Sequence, residues 1–256
     1  IANEILRQWR DVDYVFVAVG GGGLIAGVAA YLGDVAPHVK VIPVEYDESA
    51  CLKAALESGE RIVLPSVGLF ADGTAVAQIG EKPFDVIRLQ KSDNSGPIVE
   101  PDVVLVNTDE ICAAIKDTFD ENRSIVEPSG AMALAGIKKY VEQHELIGKN
   151  IVSIVCGANM NFDRLRYIAE RTELGERKEA IFAVTIPEQK GSFLNFCRAL
   201  QGRNITEFNY RASDASAAQV FVGISLKGGE KERHDIFEAL KVQYDVDDLS
   251  DDRITV

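Results

Sequence analysis

The sequence offers little for a metal to bind. Its three histidines, His38, His144 and His234, share no spacing, and its four cysteines, Cys51, Cys112, Cys156 and Cys197, form no C-x-x-C pair. No zinc or dithiol motif is therefore present, and free thiols are the default. Basic residues are also few: 27 Lys and Arg stand against 40 Asp and Glu, a formal charge of −13. Nucleic acid or an anionic membrane surface is accordingly not the expected partner. No apolar run approaches the ~18 residues of a membrane-spanning helix. No secretory leader is legible, and the chain opens IANEILRQW without a methionine, which reads as a fragment or a processed chain.

What is present is a 46% apolar composition with 26% charged residues, enough for a real core in one large domain or two modest ones. The most informative stretch is DYVFVAVGGGGLIAGVAAYL. Residues 15–19 are apolar and mostly β-branched, which predicts a buried strand. Gly20, Gly21, Gly22 and Gly23 break it, and 24–32 then read as an apolar helix. A strand, a glycine turn and a helix make an anion site, because N–H groups approach an oxyanion closely and the helix N-terminus adds partial positive charge. Gly21, Gly23 and Ala26 also fit the dinucleotide pattern G-x-G-x-x-A. Glu45, 19 residues after Ala26, stands where a ribose-binding acid belongs. On these residues alone a dinucleotide, another phosphate ligand and a structural turn all stay open.

Further strands are expected at 40–45, 84–89, 103–106 and 150–155, and helices at 3–10, 50–57, 74–79, 108–120, 128–144 and 163–171. Ser49 is the expected N-cap of the helix at 50–57. Pro43 suggests an edge or irregular position, and 91–101 reads as a mobile, turn-rich loop. Asp72 reads as a loop-capping residue, and Glu127 and Ser129 as a helix start. Lys53, Lys116 and Lys138 read as solvated charges on amphipathic helices. The alternation of strands and helices predicts a parallel sheet in an α/β domain, here 1–174. A charged hinge follows at 175–179. Residues 180–256 then change pattern: strand 180–186, helix 191–200, strands 205–211 and 220–226, helix 230–242 and a last strand near Val246. That order is the ferredoxin-like split pattern of an α+β module.

The segments VAVGGGGLIAGVA, ACLKAALESG, VGLFADGTAV, DEICAAIKDTF, EPSGAMALAG and VCGANMNFDRLR together resemble the threonine ammonia-lyases, the biosynthetic threonine dehydratases. The tail AVTIPEQKGSFLNFCRALQGRNITEFNYR resembles their ACT-like regulatory domain. The resemblance covers nearly the whole chain, with both domains in order. It implies an incomplete three-layer, tryptophan-synthase-β-like catalytic domain that binds pyridoxal 5'-phosphate, followed by the ACT-like domain. It also implies that residues 20–23 with Leu24 hold the cofactor phosphate and that Cys156 partners the pyridine nitrogen. A neutral partner leaves that nitrogen largely unprotonated, which suits β-elimination. The implied substrate is L-threonine, converted to 2-oxobutanoate and ammonia on the way to isoleucine. Isoleucine is the implied inhibitor, valine its opponent, and the assembly a homotetramer in the cytoplasm, a plastid or a mitochondrion.

An amino-acid effector needs a cation or N–H cluster for its carboxylate. Arg203, with Asn209 and Tyr210 in the same segment, is the choice, and Gly191 and Ser192 offer further N–H donors. The family carries its Schiff-base lysine in S-F-K-x-R-G-A, a motif this sequence does not contain, so no catalytic residue is assigned and the chain alone is expected to be inactive. Long members carry two ACT-like units where this sequence has one, and 92–101 is longer than the family pattern. A serine-dehydratase-type lyase and a non-enzymatic amino-acid-binding module are the alternatives.

Overall fold

The computed structural model of the chain describes residues 1–89, 91–92, 96–97, 99–175, 178–212 and 217–250. The chain folds into two compact units, Ile1–Leu165 and Arg166–Val256. In the first unit the order is α1 (Ala2–Gln8), β1 (Tyr14–Ala18), α2 (Gly23–Val35), β2 (Lys40–Tyr46), α3 (Cys51–Ser58), α4 (Glu81–Leu89), a hairpin of β3 (Lys91–Ser92) and β4 (Gly96–Pro97), β5 (Val104–Val106), α5 (Thr108–Asn122), α6 (Pro128–Gln143) and β6 (Ile151–Ser153). Helix α7 (Phe162–Gly175) spans the point of division.

Four strands form a parallel sheet in the order β5-β2-β1-β6. β1 is covered on both faces, which is why its sequence is apolar throughout rather than alternating. Val15, Val17 and Val19 share a buried cluster with Ile25, Val28, Ala29 and Leu32 of α2 and with Phe84 and Ile87 of α4. Phe16 turns the other way and meets Tyr140 of α6 edge-on, with ring centroids 5.4 Å apart. The result is the expected three-layer α/β arrangement. α5 opens as its acidic first turn predicts: Asn107 accepts the Glu110 N–H at 2.9 Å, and Glu110 accepts the Asn107 N–H at 2.8 Å.

Some local expectations are corrected. Residues 84–89 are helix, not strand. The alternating look of Phe84 and Val86 competes with the burial of Phe84 and Ile87 at i, i+3, and the helical spacing wins. Residues 75–79 are not helical; only a 3₁₀ turn, Asp72–Thr74, forms there. Ser49 does not cap α3. It ends a 3₁₀ turn, and its hydroxyl donates to the Gly68 carbonyl at 3.2 Å and accepts the Gly68 N–H at 3.1 Å. β2 is an inner strand despite Pro43. Lys40 donates to Asp13 and Val44 accepts from Val19, so the even positions bond to β1. Pro43 turns its donorless nitrogen to the other side, where β5 begins only at Val104. Part of the expected loop at 91–101 is the β3–β4 hairpin; residues 93–95 and 98 lie outside the described residues.

In the second unit β7 (Glu179–Pro187), α8 (Ser192–Ala199), β8 (Ile205–Ala212), β9 (Ala217–Ser225), α9 (Gly229–Lys241) and β10 (Asp245–Asp248) follow in turn. The sheet is antiparallel, in the order β10-β7-β9-β8. Phe182, Val184 and Ile186 of β7 and Val220, Val222 and Ile224 of β9 bury one face against Phe196, Ile236 and Leu240 of the helices. This is the expected α+β module, with its last strand in place. Among the described residues no helix is long and apolar enough to cross a membrane.

Candidate functional site

The parallel sheet sets where a ligand goes. The chain runs β1, β2, β5 in one direction and then returns to the far side of β1 as β6. The strand order reverses between β1 and β6, and the carboxyl ends at such a switch point open into a crevice. Both sequence-predicted cofactor elements leave from there: residues 20–23 follow β1, and Cys156 follows β6.

The four glycines differ in what surrounds them. At Gly20 a Cβ would lie 3.0 Å from the Thr74 Cα. Gly22 is the N-cap of α2 at φ +84°, where a Cβ would also lie 2.5 Å from Ile79 Cδ1. At Gly21 and Gly23 a Cβ would meet nothing within 4 Å. The turn is held from behind by the Gly80 N–H, which donates to the Gly21 carbonyl at 3.1 Å. The first N–H groups of α2, on Gly23, Leu24 and Ile25, have no partner within the helix, and glycine at the N-cap supplies no capping side chain. The side chain of Leu24 packs on the core. The turn thus presents amide donors and a helix N-terminus to an open side, which is the chemistry of an oxyanion cup.

A wall of contacts runs from this turn to Cys156. Thr74, behind Gly20, sits 3.4 Å from the Ser129 hydroxyl and donates to the Ala71 carbonyl at 2.9 Å. Glu127 is the N-cap of α6, with Pro128 at its first position, so EPSGA starts a helix as expected. It does more than that. Its carboxylate accepts the Asn159 N–H at 3.0 Å, and its N–H donates to the Gly157 carbonyl at 3.2 Å. Gly157, at φ +83°, has room for no Cβ beside that carboxylate. Gly130 presses so near the turn that a Cβ there would come 1.9 Å from the Cys156 carbonyl oxygen. Cys156 is exposed, yet the protein around its sulfur, and then the Glu127 carboxylate, raise the thiol above its ordinary pKa. It is an uncharged group at neutral pH. Asp72 accepts the Gly73 N–H at 3.1 Å and sits 3.6 Å from Arg164, which is a loop-capping role.

Glu45 does not act as a ribose acid. It is fully buried and accepts the N–H groups of Leu52 and Lys53 at 2.7 and 2.9 Å, capping α3. Burial outweighs those two bonds and pushes its pKa up to about 7. Both carboxylate oxygens are committed, and the dinucleotide pattern loses its acid.

In the second unit the three effector candidates are not brought together. Arg203 borders a cavity of about 290 Å³ with Gln201, Asn204, Ser225, Lys227 and Glu232. Its guanidinium pairs with Glu232 at 3.2 Å and donates to the Leu200 carbonyl at 3.2 Å. Asn209 lines a different hollow, of about 360 Å³, with Glu207, Arg211 and Phe221. Tyr210 pairs with the core residue Val220 across β8–β9, so it faces the helix layer, where its hydroxyl donates to Glu188. Neighbours on a strand point to opposite faces, a signal already present in the order of Asn209 and Tyr210.

Residues 1–157 match the family described as "Pyridoxal-phosphate dependent enzyme", and 170–256 match "C-terminal regulatory domain of Threonine dehydratase". The chain is 51% identical over 255 residues to the L-threonine dehydratase biosynthetic IlvA of Escherichia coli, covering 99% of this chain and 48% of that protein. It is 48% identical over 259 residues to the mitochondrial threonine dehydratase of Schizosaccharomyces pombe, covering 99% of this chain and 42% of that one. Among solved structures, the processed form of threonine deaminase isoform 2 from Solanum lycopersicum aligns with a TM-score of 0.61 at 44% identity, over 67% of this chain and 47% of that chain. The chain spans about half the length of the curated relatives it matches.

Proposed function

The chain belongs to the pyridoxal-phosphate-dependent enzymes and carries the regulatory domain of threonine dehydratase, and we propose that it forms part of a threonine ammonia-lyase, which converts L-threonine to 2-oxobutanoate and ammonia. The observation that carries this reading is the glycine cup and the Cys156 turn on either side of one topological switch, joined by the Thr74–Ser129–Glu127 wall. The cofactor suits these residues. Gly21 and Gly23 leave open the space that a Cβ would fill, and residues 20–23 with Leu24 turn amide donors toward a phosphate. Cys156, whose thiol is uncharged at neutral pH, would partner the pyridine nitrogen and would leave it largely unprotonated. When bound, pyridoxal phosphate supplies the electron sink for loss of the α-proton and β-hydroxyl. Glu127 holds the turn that carries Cys156. The family's Schiff-base lysine motif is absent from this sequence, and the chain by itself does not turn over threonine.

The ACT-like unit, 180–256 beyond a hinge at 175–179, takes isoleucine as inhibitor and valine as its opponent. The effector carboxylate goes to Arg203, in the cavity where Lys227 adds a second cation. The whole enzyme is a homotetramer, in the cytoplasm or in an organelle; the relatives of Schizosaccharomyces pombe and Solanum lycopersicum are named mitochondrial and chloroplastic.

Thermal-shift measurement on the purified chain tests the reading. Pyridoxal phosphate and isoleucine each raise the Tm, and NAD does not. The chain with threonine and cofactor forms no 2-oxobutanoate above a blank. A shift with NAD but not pyridoxal phosphate returns the glycine turn to a dinucleotide. A shift with isoleucine alone makes the chain an amino-acid-binding module, and 2-oxobutanoate above the blank overturns the inactivity.

A further inference from the structure

β1 and β2 run side by side, with Ala18 opposite Val44, so the segments that follow them also lie together. After β1 comes the glycine turn. After β2 come a 3₁₀ turn and then α3, whose first residue is Cys51. Cys51 is fully buried, and its thiol donates to the Gly20 carbonyl at 3.6 Å. Both oxygens of the neighbouring Glu45 carboxylate already accept N–H groups, from Leu52 and Lys53, which leaves the thiol proton to Gly20. Burial, and after it the Glu45 carboxylate, pushes the thiol pKa up to about 12. Cys51 therefore stays protonated, and stays a donor, throughout the neutral range.

A trans peptide is planar, and its C=O and N–H point in opposite directions. The peptide joining Gly20 to Gly21 is trans. A bond that draws the Gly20 carbonyl inward to Cys51 therefore turns the Gly21 N–H outward. Gly21 is exposed, and a Cβ there would meet nothing within 4 Å, so the turn is open on that side. The next peptide is held in the same manner. The Gly80 N–H donates to the Gly21 carbonyl at 3.1 Å, which turns the Gly22 N–H away from Gly80. Of these two anchors, Cys51 is the one that acts through a side chain. A run of glycines has no side chains of its own to fix its peptides and samples many orientations. On the reading of this turn as a phosphate cup, we propose that Cys51 is a positioning residue for the cofactor phosphate: its thiol fixes the Gly20–Gly21 peptide and so aims the Gly21 N–H at the oxyanion before it arrives. An amide oriented in advance loses less freedom on binding, and the gain appears as affinity.

Calorimetric titration of the full chain with pyridoxal phosphate, and with pyridoxal, which lacks the phosphate, tests it. The wild-type chain prefers pyridoxal phosphate. Cys51→Ala and Cys51→Val both remove the donor, the first with a loss of volume and the second without. Each weakens pyridoxal phosphate by ~10-fold and leaves pyridoxal unchanged, whereas a general loosening of the fold weakens both ligands alike. Cys51→Ser keeps a donor and keeps most of the preference. Carbon-13 and nitrogen-15 resonances of the free chain give a second readout. The Gly20 carbonyl and the Gly21 amide shift together in Cys51→Ala and Cys51→Val, while the Gly80 amide holds its place. A wild-type chain that binds neither ligand, or both alike, overturns the phosphate cup and with it this role of Cys51. A wild-type preference that survives intact in Cys51→Ala and Cys51→Val, or a Gly20 carbonyl resonance that does not move in them, overturns the role of Cys51 and leaves the cup standing.

Discussion

Gly20 and Gly22 are glycine for the sake of the fold, since a Cβ at either would strike Thr74 or Ile79. Gly21 and Gly23 are glycine on the open side. The two pairs therefore separate binding from folding. Gly21→Ala and Gly23→Ala are expected to leave the Tm of the free chain nearly unchanged and to abolish the shift given by pyridoxal phosphate. Gly22→Ala is expected to destabilise by about 1–3 kcal/mol with or without ligand, from its left-handed backbone and the contact with Ile79. Chemical denaturation and ligand-dependent melting of the three variants read the two effects apart. A Gly22→Ala chain as stable as the wild type would sink the assignment. That residues 20–23 form a phosphate-type turn was legible, because a strand and a helix flank it. The unequal duties within it were not, because Ile79 and Thr74 approach from a segment more than fifty residues on.

Helix α3 begins over a buried carboxylate, and that gives it a pH dependence of definite sign. Glu45 has a folded pKa of about 7 against an ordinary value of 4.5. Between those values the folded chain holds a proton that the unfolded chain has released. Stability therefore falls as pH rises from 4.5 to 7 and levels off above. The loss is about 3 kcal/mol at 1.36 kcal/mol per pH unit. In Glu45→Gln this component disappears. Urea denaturation of both chains at pH 5 and pH 7.5 checks it, and parallel pH dependences would refute it. Other elements show what a pattern conceals. Residues 84–89 alternate well enough to pass for a strand, and only the packing of Phe84 and Ile87 beside α2 selects the helix. In β8 the reverse holds: strand geometry separates Asn209 from Tyr210, although their adjacency in sequence invited one site.

At the scale of the molecule, both fold classes could be read from the order of strands and helices, since that order constrains topology closely. The wall between the glycine turn and Cys156 could not. It is made by Thr74, by Glu127 and Ser129 at one helix start, and by Asn159, three segments that sequence places far apart and the sheet brings together. Glu45 misled for a related reason. Its spacing from the glycines fits a nucleotide fold, but its partners are the first amides of the helix that follows. β1, paired on both sides and buried on both faces, has a consequence for deuterium uptake. Its amides are expected to exchange only when the whole first unit opens, whereas those of residues 21–24 exchange through local fluctuation. Mass spectrometry of peptides from 14–24 would show that step in protection, and uniform uptake across them would contradict it. The turn is then a soft lip fixed to the slowest-exchanging strand, so it can adjust to a ligand while its anchor holds still.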